Sequence, residues 1–165
     1  MTPVEGRFIE GLRLANLSEG WDRKIIYIHA YHETGKFKKV VGTNNYWGLK
    51  CPKNWTGKTV EVITTEFVKG SEVPPEFKDK LISYEKVGDY LKLKIRDLFI
   101  DFDTAKDSIE YYEKFIKRVY PQAFELRGNY KGYYAALVSG KLKYATDPKY
   151  PEKLIRLYET VQVEI

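Results

Sequence analysis

The sequence predicts an α+β fold in which a helical lobe and a small β-rich lobe enclose a substrate cleft. Apolar residues recur at helical spacing in the first and last thirds of the chain, whereas the middle is rich in β-branched and alternating residues. No Ser/Gly linker or internal repeat divides the 165 residues. We therefore expect one domain over residues 1–165, with a β-rich insert at about 55–100.

Two helices are predicted before the insert. The first carries apolar residues at helical spacing: Phe8, Ile9, Leu12, Leu14 and Leu17. Ser18 is predicted to cap the second helix, with Glu19 and Asp22 near its positive end. We expect the second helix to end at Gly35, because glycine readily takes the left-handed conformation beyond the last turn. Glu33 then lies in the last turn of a largely buried helix.

The middle of the chain changes to strand patterns. Residues 59–68 are rich in β-branched side chains, and residues 90–95 alternate apolar and charged side chains, so each segment predicts a strand. Gly70 and Ser71 predict a turn between them. Pro74 and Pro75 predict a loop, because proline cannot donate to a β ladder.

Three helices are predicted in the last third. Thr104 or Asp103 is expected to cap the first of them, which stops at Pro121. The second is predicted near residues 130–138 and the third from about Pro151, since proline fits the first turn of a helix.

Composition and charge narrow the classes of function. The net charge of +5 suits an anionic partner such as nucleic acid, a lipid surface or a bacterial wall. The lysines are spread along the chain, which disfavours nucleic acid. No run of about 18 apolar residues occurs, and the N-terminus lacks the pattern of a signal peptide. Cys51 is the single cysteine, and we expect it to be a small, half-buried apolar residue.

Glu33 breaks a local rule of helix stability. The C-terminal end of a helix carries partial negative charge, which disfavours a carboxylate there. Burial disfavours the charged form as well, so we expect the pKa of Glu33 to be raised. A carboxyl group held protonated can act as a general acid. The alternative is a helix-end glutamate paired with a lysine such as Lys36.

Five sequence blocks, in order, resemble the glucosaminidase family of bacterial and phage cell-wall hydrolases. The family shows a Leu-Glu-Ser-Gly type helix end, an Asn-Leu/Tyr-Phe-Gly-Ile-Lys type motif, a Trp-Lys/Thr-Gly step, a Thr-Thr-Glu-Tyr strand and a Tyr-Ala-Thr-Asp-Pro-x-Tyr segment. The matching stretches of this chain are 31–35, 44–50, 55–58, 64–67 and 144–150. The resemblance covers roughly residues 20–160. Each block is weak alone, but together they make a specific match.

The resemblance implies a lysozyme-like fold and hydrolysis of the β-1,4 bond between N-acetylglucosamine and N-acetylmuramic acid in peptidoglycan. It implies three catalytic residues: Glu33 as the general acid, Glu66 as the second carboxylate and Tyr144. Glu61 and Glu66 are five residues apart, so a regular strand places them on opposite faces, and the family position selects Glu66 for the cleft. The alternatives are an exposed strand residue for Glu66 and core packing for Tyr144.

Five further residues are predicted to bind substrate: Asn45, Tyr46, Trp47, Trp55 and His32. The aromatic rings can stack on sugars and the amide can bond hydroxyl groups, although core packing and turn chemistry explain them equally well. His32 replaces the usual leucine of the family. His29 and His32 lack a third ligand, so we expect neither a metal nor an organic cofactor.

Several alternatives stay open. A muramidase or a lytic transglycosylase shares the implied fold, and a non-catalytic module that binds the wall or a virion is the rival from another class. We expect a monomer that acts on peptidoglycan glycan strands, with no nucleic-acid partner and no membrane insertion. Two routes to the wall are expected: holin-mediated release of a phage lysin, or secretion as part of a longer autolysin precursor. Retaining, inverting and substrate-assisted mechanisms all stay open.

Overall fold

The computed structural model, which describes residues 1–165, places helices at both ends of the chain and an antiparallel sheet between them. The predicted α+β class is confirmed. The elements are α1 (Pro3–Leu14), α2 (Arg23–Glu33), β1 (Thr59–Lys69), a 3₁₀ helix (Pro75–Lys80), β2 (Leu81–Val87), β3 (Tyr90–Ile100), α3 (Ala105–Val119), α4 (Pro121–Glu125), α5 (Tyr130–Ala136) and α6 (Tyr150–Thr160).

The N-terminal cap of α2 differs from the prediction. Asp22 caps the helix, and its carboxylate accepts a hydrogen bond from the backbone N–H of Lys24 at 3.1 Å. Ser18 is not the cap, because its N–H and its hydroxyl both donate to Glu113 of α3. Residues 15–22 are therefore a connection that α3 holds in place, and α1 ends at Leu14.

The C-terminal end of α2 agrees with the prediction. Glu33 is the last helical residue, and Gly35 follows with φ +56°. Lys36 and Phe37 also take left-handed conformations, at φ 65° and 59°. Phe37 is 2% exposed and its ring centroid lies 5.2 Å from that of Phe8, so burial offsets the strain of this tight turn.

The sheet has the strand order β1-β3-β2, with every pair antiparallel. Strand β2 was not predicted, because its side chains are almost all exposed and its stability comes from pairing with the central strand β3. The second proline of the predicted loop begins a 3₁₀ helix. A small apolar cluster, formed by Leu91, Leu93 and Ile95 of β3, is separate from the main core, and Val73 and Phe77 of the segment before β2 pack against it.

The main core lies in the helical lobe, and α2 passes through it. Residues 25–30 of α2 are all buried, which is the pattern of a helix surrounded by other elements. Buried side chains of α1, α3, α5 and α6 belong to the same apolar cluster. No helix combines the length and the apolar character that crossing a membrane requires.

Asp101 ties the end of the sheet to the loop that follows α2. Its carboxylate is 3% exposed and accepts hydrogen bonds from the backbone N–H groups of Thr43 at 3.0 Å, Asn44 at 2.9 Å and Phe102 at 2.9 Å. Burial raises the pKa of Asp101, but these donors and Lys58 outweigh it, so the pKa lies below its usual 3.8. Asp101 therefore holds residues 42–48 in place as an anion.

We expect Asp101→Asn to lower the free energy of unfolding at pH 7 by about 2 to 4 kcal/mol, because it removes a charged acceptor from buried donors. Because the pKa of Asp101 is lowered, its contribution is complete above its usual pKa and is lost as the pH falls through the lowered value. The stability difference between parent and variant should therefore shrink below about pH 4. Urea unfolding across this pH range measures both effects.

Asp103→Asn is the matched control. This carboxylate also approaches Lys58, at 3.9 Å, but its side chain is 87% exposed. We expect it to change stability by less than about 0.5 kcal/mol. Equal stability of the two variants at pH 7 would contradict the structural role of Asp101.

Candidate active site

A cavity of about 570 Å³ opens between the C-terminal end of α2, the loop after it, and α3. Most of its lining side chains are aromatic, aliphatic or charged, and Glu33 is the acidic one among them. The lining residues are Glu33, Trp47, Gly48, Leu49, Lys50, Pro52, Tyr111, Phe115, Arg118, Tyr120 and Tyr144. A carboxyl group thus faces an apolar and aromatic cavity, the usual character of a small-molecule site.

Glu33 is held from behind by two side chains of the helical core. Its side chain is 24% exposed, and its Oε1 atom accepts a hydrogen bond from the hydroxyl of Tyr150, the first residue of α6. The Nε2 atom of His29, one turn earlier on α2, lies 3.6 Å from the same oxygen. The Oε2 atom has no hydrogen-bond partner in the protein.

The pKa of Glu33 differs from the prediction. Burial raises it, but His29, Tyr150 and His32 together lower it, and the net pKa lies below its usual 4.5. The predicted rise is therefore wrong for the free protein, because it counted burial and the helix dipole but not the donors that α6 and α2 supply. Glu33 rests as a carboxylate at neutral pH.

Tyr144 lines the cavity beside Glu33, and its hydroxyl is buried without a hydrogen-bond partner in the protein. Burial raises its pKa well above the usual value, and the charge of Glu33 adds to this, so the hydroxyl stays neutral. The indole N–H of Trp47 is likewise buried and unpartnered, while its ring stacks on Tyr112 at 4.2 Å. No hydrogen bond within the protein compensates these two buried donors, and both belong to residues that line the cavity.

Glu66 lies on the inward face of β1 and Glu61 on the outward face, as their spacing predicts. Glu66 is 37% exposed in its side chain and does not line the cavity itself. Lys50 connects it to the cavity, because its Nζ atom lies 3.7 Å from Glu66 Oε1 and 3.2 Å from Asp97 Oδ2. Glu61 pairs with Arg96 at 3.2 Å, away from the cavity.

Asn45 and Tyr46 are buried and support the cavity from inside the protein. The amide of Asn45 donates to the carbonyl groups of Leu49 at 2.9 Å and Ile100 at 2.8 Å, and its oxygen accepts from the N–H of Leu49. The Tyr46 hydroxyl donates to the side chain of Asn44 at 2.9 Å. Neither residue lines the cavity, so their polar groups serve the loop that carries Trp47.

Trp55 and His32 do not line the cavity. The indole N–H of Trp55 donates to the carbonyl of Lys58 at 3.0 Å, and its ring meets the edge of Tyr111, a lining residue, at 5.3 Å. His32 makes an edge contact with Tyr150 at 5.3 Å. Burial chiefly lowers the pKa of His32, so it is neutral at neutral pH.

Four residues of the site, His29, Tyr150, Lys50 and Arg118, were not predicted from the sequence. The position of His29, four residues before Glu33 on one helix, places both on the same face and was a usable signal. Tyr150 closes the Tyr-Ala-Thr-Asp-Pro-x-Tyr motif, which was a second one. The histidines of α2 form no metal site: no group of three or more His, Cys, Asp or Glu side chains is arranged to hold a metal ion.

Comparison with known families identifies the class of protein that this fold and cavity define. The glucosaminidase family, described as mannosyl-glycoprotein endo-β-N-acetylglucosaminidase, matches residues 12–163. The chain belongs to the glucosaminidase family. It is a glycoside hydrolase, and the predicted enzyme class is confirmed.

Solved structures share the fold. A C-terminally truncated glycoside hydrolase domain of FlgJ from Salmonella typhimurium is 21% identical, with a TM-score of 0.65 over 94% of this chain and 93% of that one. The catalytic domain of the autolysin Auto from Listeria monocytogenes is 20% identical, with a TM-score of 0.63 over 97% and 85%. A mutant peptidoglycan hydrolase from Sphingomonas sp. A1 is 23% identical, with a TM-score of 0.57 over 94% and 86%. No curated protein sequence matches this chain. The three solved structures confirm the predicted fold.

We expect Tyr144→Phe to lower kcat/KM for glycan hydrolysis at least about tenfold while leaving the free energy of unfolding within about 0.5 kcal/mol, because the lost hydroxyl makes no hydrogen bond in the protein. Chemical denaturation and steady-state kinetics on the same preparation measure the two quantities.

Tyr134→Phe is the control, since its hydroxyl is buried, donates to the carbonyl of Ile25 at 3.0 Å and lies outside the cavity. It should lose about 1 kcal/mol of stability and keep the parent activity. A Tyr144→Phe variant that is less stable but equally active would show that this hydroxyl serves packing alone.

Proposed function

We propose that this chain cleaves the β-1,4 bond between N-acetylglucosamine and N-acetylmuramic acid in peptidoglycan, with Glu33 as the general acid. The carrying observation is a single carboxyl group at the end of a buried helix, facing a cavity of about 570 Å³ with aromatic walls. The family supplies endo-β-N-acetylglucosaminidase chemistry. Structural relatives that are named as an autolysin and a peptidoglycan hydrolase support the choice of substrate.

Glu33 must be protonated when it donates to the leaving oxygen, although it rests as a carboxylate. A glycan strand that fills the cavity expels water and adds to the burial of the carboxyl group, and this acts in the direction that raises its pKa. The proton then passes to the glycosidic oxygen as the C1–O bond breaks and positive charge develops on the sugar ring. Tyr144 and Trp47 line the same cavity and carry unpaired donors, which are the proposed polar contacts to the substrate.

Glu66 is the proposed second carboxylate, acting as a base or as a stabiliser of the developing charge. Its ion pair with Lys50 joins it to the cavity wall. Asn45 and Tyr46 are left out of the proposed substrate contacts because their polar groups bond within the protein. Trp47, predicted to bind substrate, and Tyr144, predicted to be catalytic, remain as the proposed contacts that line the cavity.

The proposed setting is the bacterial cell wall, where a monomer formed by residues 1–165 acts as one catalytic domain on glycan strands. The net charge of +5 supports attraction to a polyanionic wall. We propose no nucleic-acid partner, since the lysines are spread along the chain. Release by a phage holin and secretion within a longer precursor are both routes that bring such a domain to its substrate.

A lytic transglycosylase is the second candidate, and one observation favours it: Glu33 is the single carboxyl group that lines the cavity, and that reaction works with one carboxyl. Digestion of purified peptidoglycan, borohydride reduction and mass spectrometry separate the cases. A reduced N-acetylglucosamine end supports the proposal. A reduced N-acetylmuramic acid end identifies a muramidase, and an anhydro-N-acetylmuramic acid end identifies a transglycosylase.

We expect Glu33→Gln to lower kcat at least about 10²-fold, the usual contribution of a general acid. Glu66→Gln should lower kcat about tenfold or more if it serves as base or charge stabiliser. Glu61→Gln is the control on the opposite face of β1 and should match the parent. Release of soluble fragments from purified walls is the measurement, and an active Glu33→Gln protein would refute the proposal.

Arg118 offers a test of the substrate's charge. It is exposed, lines the cavity and pairs with no carboxylate of the chain, whereas Lys50 is paired twice. Peptidoglycan carries carboxylates on its lactyl ethers or peptide stems, and a guanidinium group suits them. We expect Arg118→Gln to raise KM on peptidoglycan about tenfold, a loss of one charge-assisted contact, with little change in kcat.

The same variant should cleave neutral N-acetylglucosamine oligomers as well or as poorly as the parent does. Arg156→Gln on α6 removes the same charge from an exposed position outside the cavity and should leave both substrates unaffected. If Arg118→Gln and Arg156→Gln behave alike on peptidoglycan, Arg118 does not bind the substrate.

A further inference from the structure

Behind Glu33, four side chains from four helices form one continuous hydrogen-bonded chain that ends on its carboxylate. The hydroxyl oxygens of Tyr133 on α5 and Tyr112 on α3 lie 2.6 Å apart, and Tyr112 lies 2.6 Å from Nδ1 of His29. The Nε2 atom of His29 lies 2.8 Å from the hydroxyl of Tyr150, which donates to Glu33. The four residues behind Glu33 are between 0% and 4% exposed.

The direction of every bond in this chain follows from its end. A carboxylate only accepts, so Tyr150 donates to Glu33, and the Tyr150 oxygen then accepts from the Nε2–H of His29. With its proton on Nε2, His29 accepts at Nδ1 from Tyr112, whose oxygen accepts from Tyr133. One neutral tautomer of His29 satisfies the whole chain, and all four bonds donate toward Glu33.

A charged His29 fits this chain less well. An imidazolium donates at Nδ1, so Tyr112 would have to turn its hydrogen toward Tyr133. The Tyr133 hydroxyl makes no other hydrogen bond, so its own hydrogen would be buried without an acceptor. The neutral form leaves no hydroxyl hydrogen of the chain unpaired.

The chain makes the two oxygens of Glu33 unequal. Oε1 faces the Tyr150 donor, whereas Oε2 has no hydrogen-bond partner in the protein. When Glu33 takes up a proton, that proton belongs on Oε2, since a proton on Oε1 would face the hydrogen that Tyr150 donates. General acid catalysis requires the proton on an oxygen within reach of the leaving group. The hydrogen-bonded chain therefore fixes which oxygen of Glu33 carries the proton.

We propose that His29 and Tyr150 are positioning residues, which reserve Oε1 of Glu33 for an internal hydrogen bond and so keep the transferable proton on Oε2. This inference rests on the proposed role of Glu33 as general acid. Neither residue touches the substrate: His29 is completely buried, and neither side chain lines the cavity.

The pH profile of kcat depends on the titratable groups that lie near Glu33 and the hydrogen-bonded chain. The titratable or charged groups around Glu33 and this hydrogen-bonded chain are His29 and His32 on α2, Tyr112 on α3, Tyr133 on α5, Tyr144 and Tyr150 near the start of α6, and Lys50 and Arg118 in the cavity lining. Burial raises the pKa of all four tyrosines far above neutrality. Burial chiefly lowers the pKa of His32 below its usual 6.5, whereas the charge of Glu33 acts in the opposite direction. The displacement of the alkaline limb of kcat between parent and variant, and not its absolute position, therefore reports the change in the pKa of Glu33.

Tyr150→Phe tests the proposal directly. It removes a donor that stabilises the carboxylate of Glu33, so the pKa of Glu33 rises, Glu33 stays protonated to higher pH, and the alkaline limb of kcat moves to higher pH. Loss of the fixed proton position should also lower the maximal kcat about tenfold, with KM within about twofold. The measurement is the pH profile of kcat and KM on soluble glycan strands.

His29 supplies an independent arm if Tyr150→Phe does not fold. His29→Gln places an amide N–H where Nε2 lies, keeps the donor to Tyr150 and should retain the parent profile. His29→Leu removes that donor and should behave as Tyr150→Phe. Tyr134→Phe removes a buried hydroxyl that is not part of the hydrogen-bonded chain, so it should not move the alkaline limb of kcat.

The outcomes separate the two proposals. Should Glu33→Gln keep its activity, the proposed function fails, and this inference fails with it. Should Glu33→Gln be inactive while Tyr150→Phe and His29→Leu leave the alkaline limb and the maximal kcat unchanged, the positioning role alone is overturned. A variant that loses stability without moving the limb overturns that role as well, because a packing role changes folding and not the titration of the acid.

Discussion

The contact between the end of α2 and the start of α6 is the interaction on which the site depends. Helix α2 is surrounded by other helices, and the carboxyl group at its end lines the cavity. Tyr150, 117 residues later in sequence, supplies the hydrogen bond that a carboxylate needs at the negative end of a helix. Packing of α6 on α2 therefore decides both where Glu33 lies and which of its oxygens is free.

The carboxylates around the cavity are each compensated. The Tyr150 hydroxyl donates to Glu33, Lys50 pairs with both Glu66 and Asp97, and backbone N–H groups donate to Asp101. Asp97 and Asp101, which are almost fully buried, thus have the cations or donors that low-dielectric surroundings require. Arg118 is left as the cation of the cavity wall without a partner, which gives the cavity a positive side suited to an anionic strand.

Local signals predict the elements whose stability is local. Capping residues and apolar spacing indicate α3 and the end of α2, and β-branched or alternating residues indicate β1 and β3. Strand β2 gives no such signal because it is an exposed edge strand held by its register with β3. The short helix α4 was not predicted because Pro121 marks the end of α3, although proline also fits the first turn of a new helix.

The sequence located Glu33, but it did not give the direction of its pKa, because Tyr150 approaches it only in the folded chain. The structure also divides the residues that were predicted to contact substrate into two groups, which the sequence does not distinguish. Asn45 and Tyr46 satisfy their hydrogen bonds inside the protein, whereas Trp47 and Tyr144 leave a buried donor unpaired at the cavity. The residue types in the two pairs are alike, so the sequence cannot tell the pairs apart. What separates them is whether the polar group of each residue is hydrogen-bonded inside the folded protein.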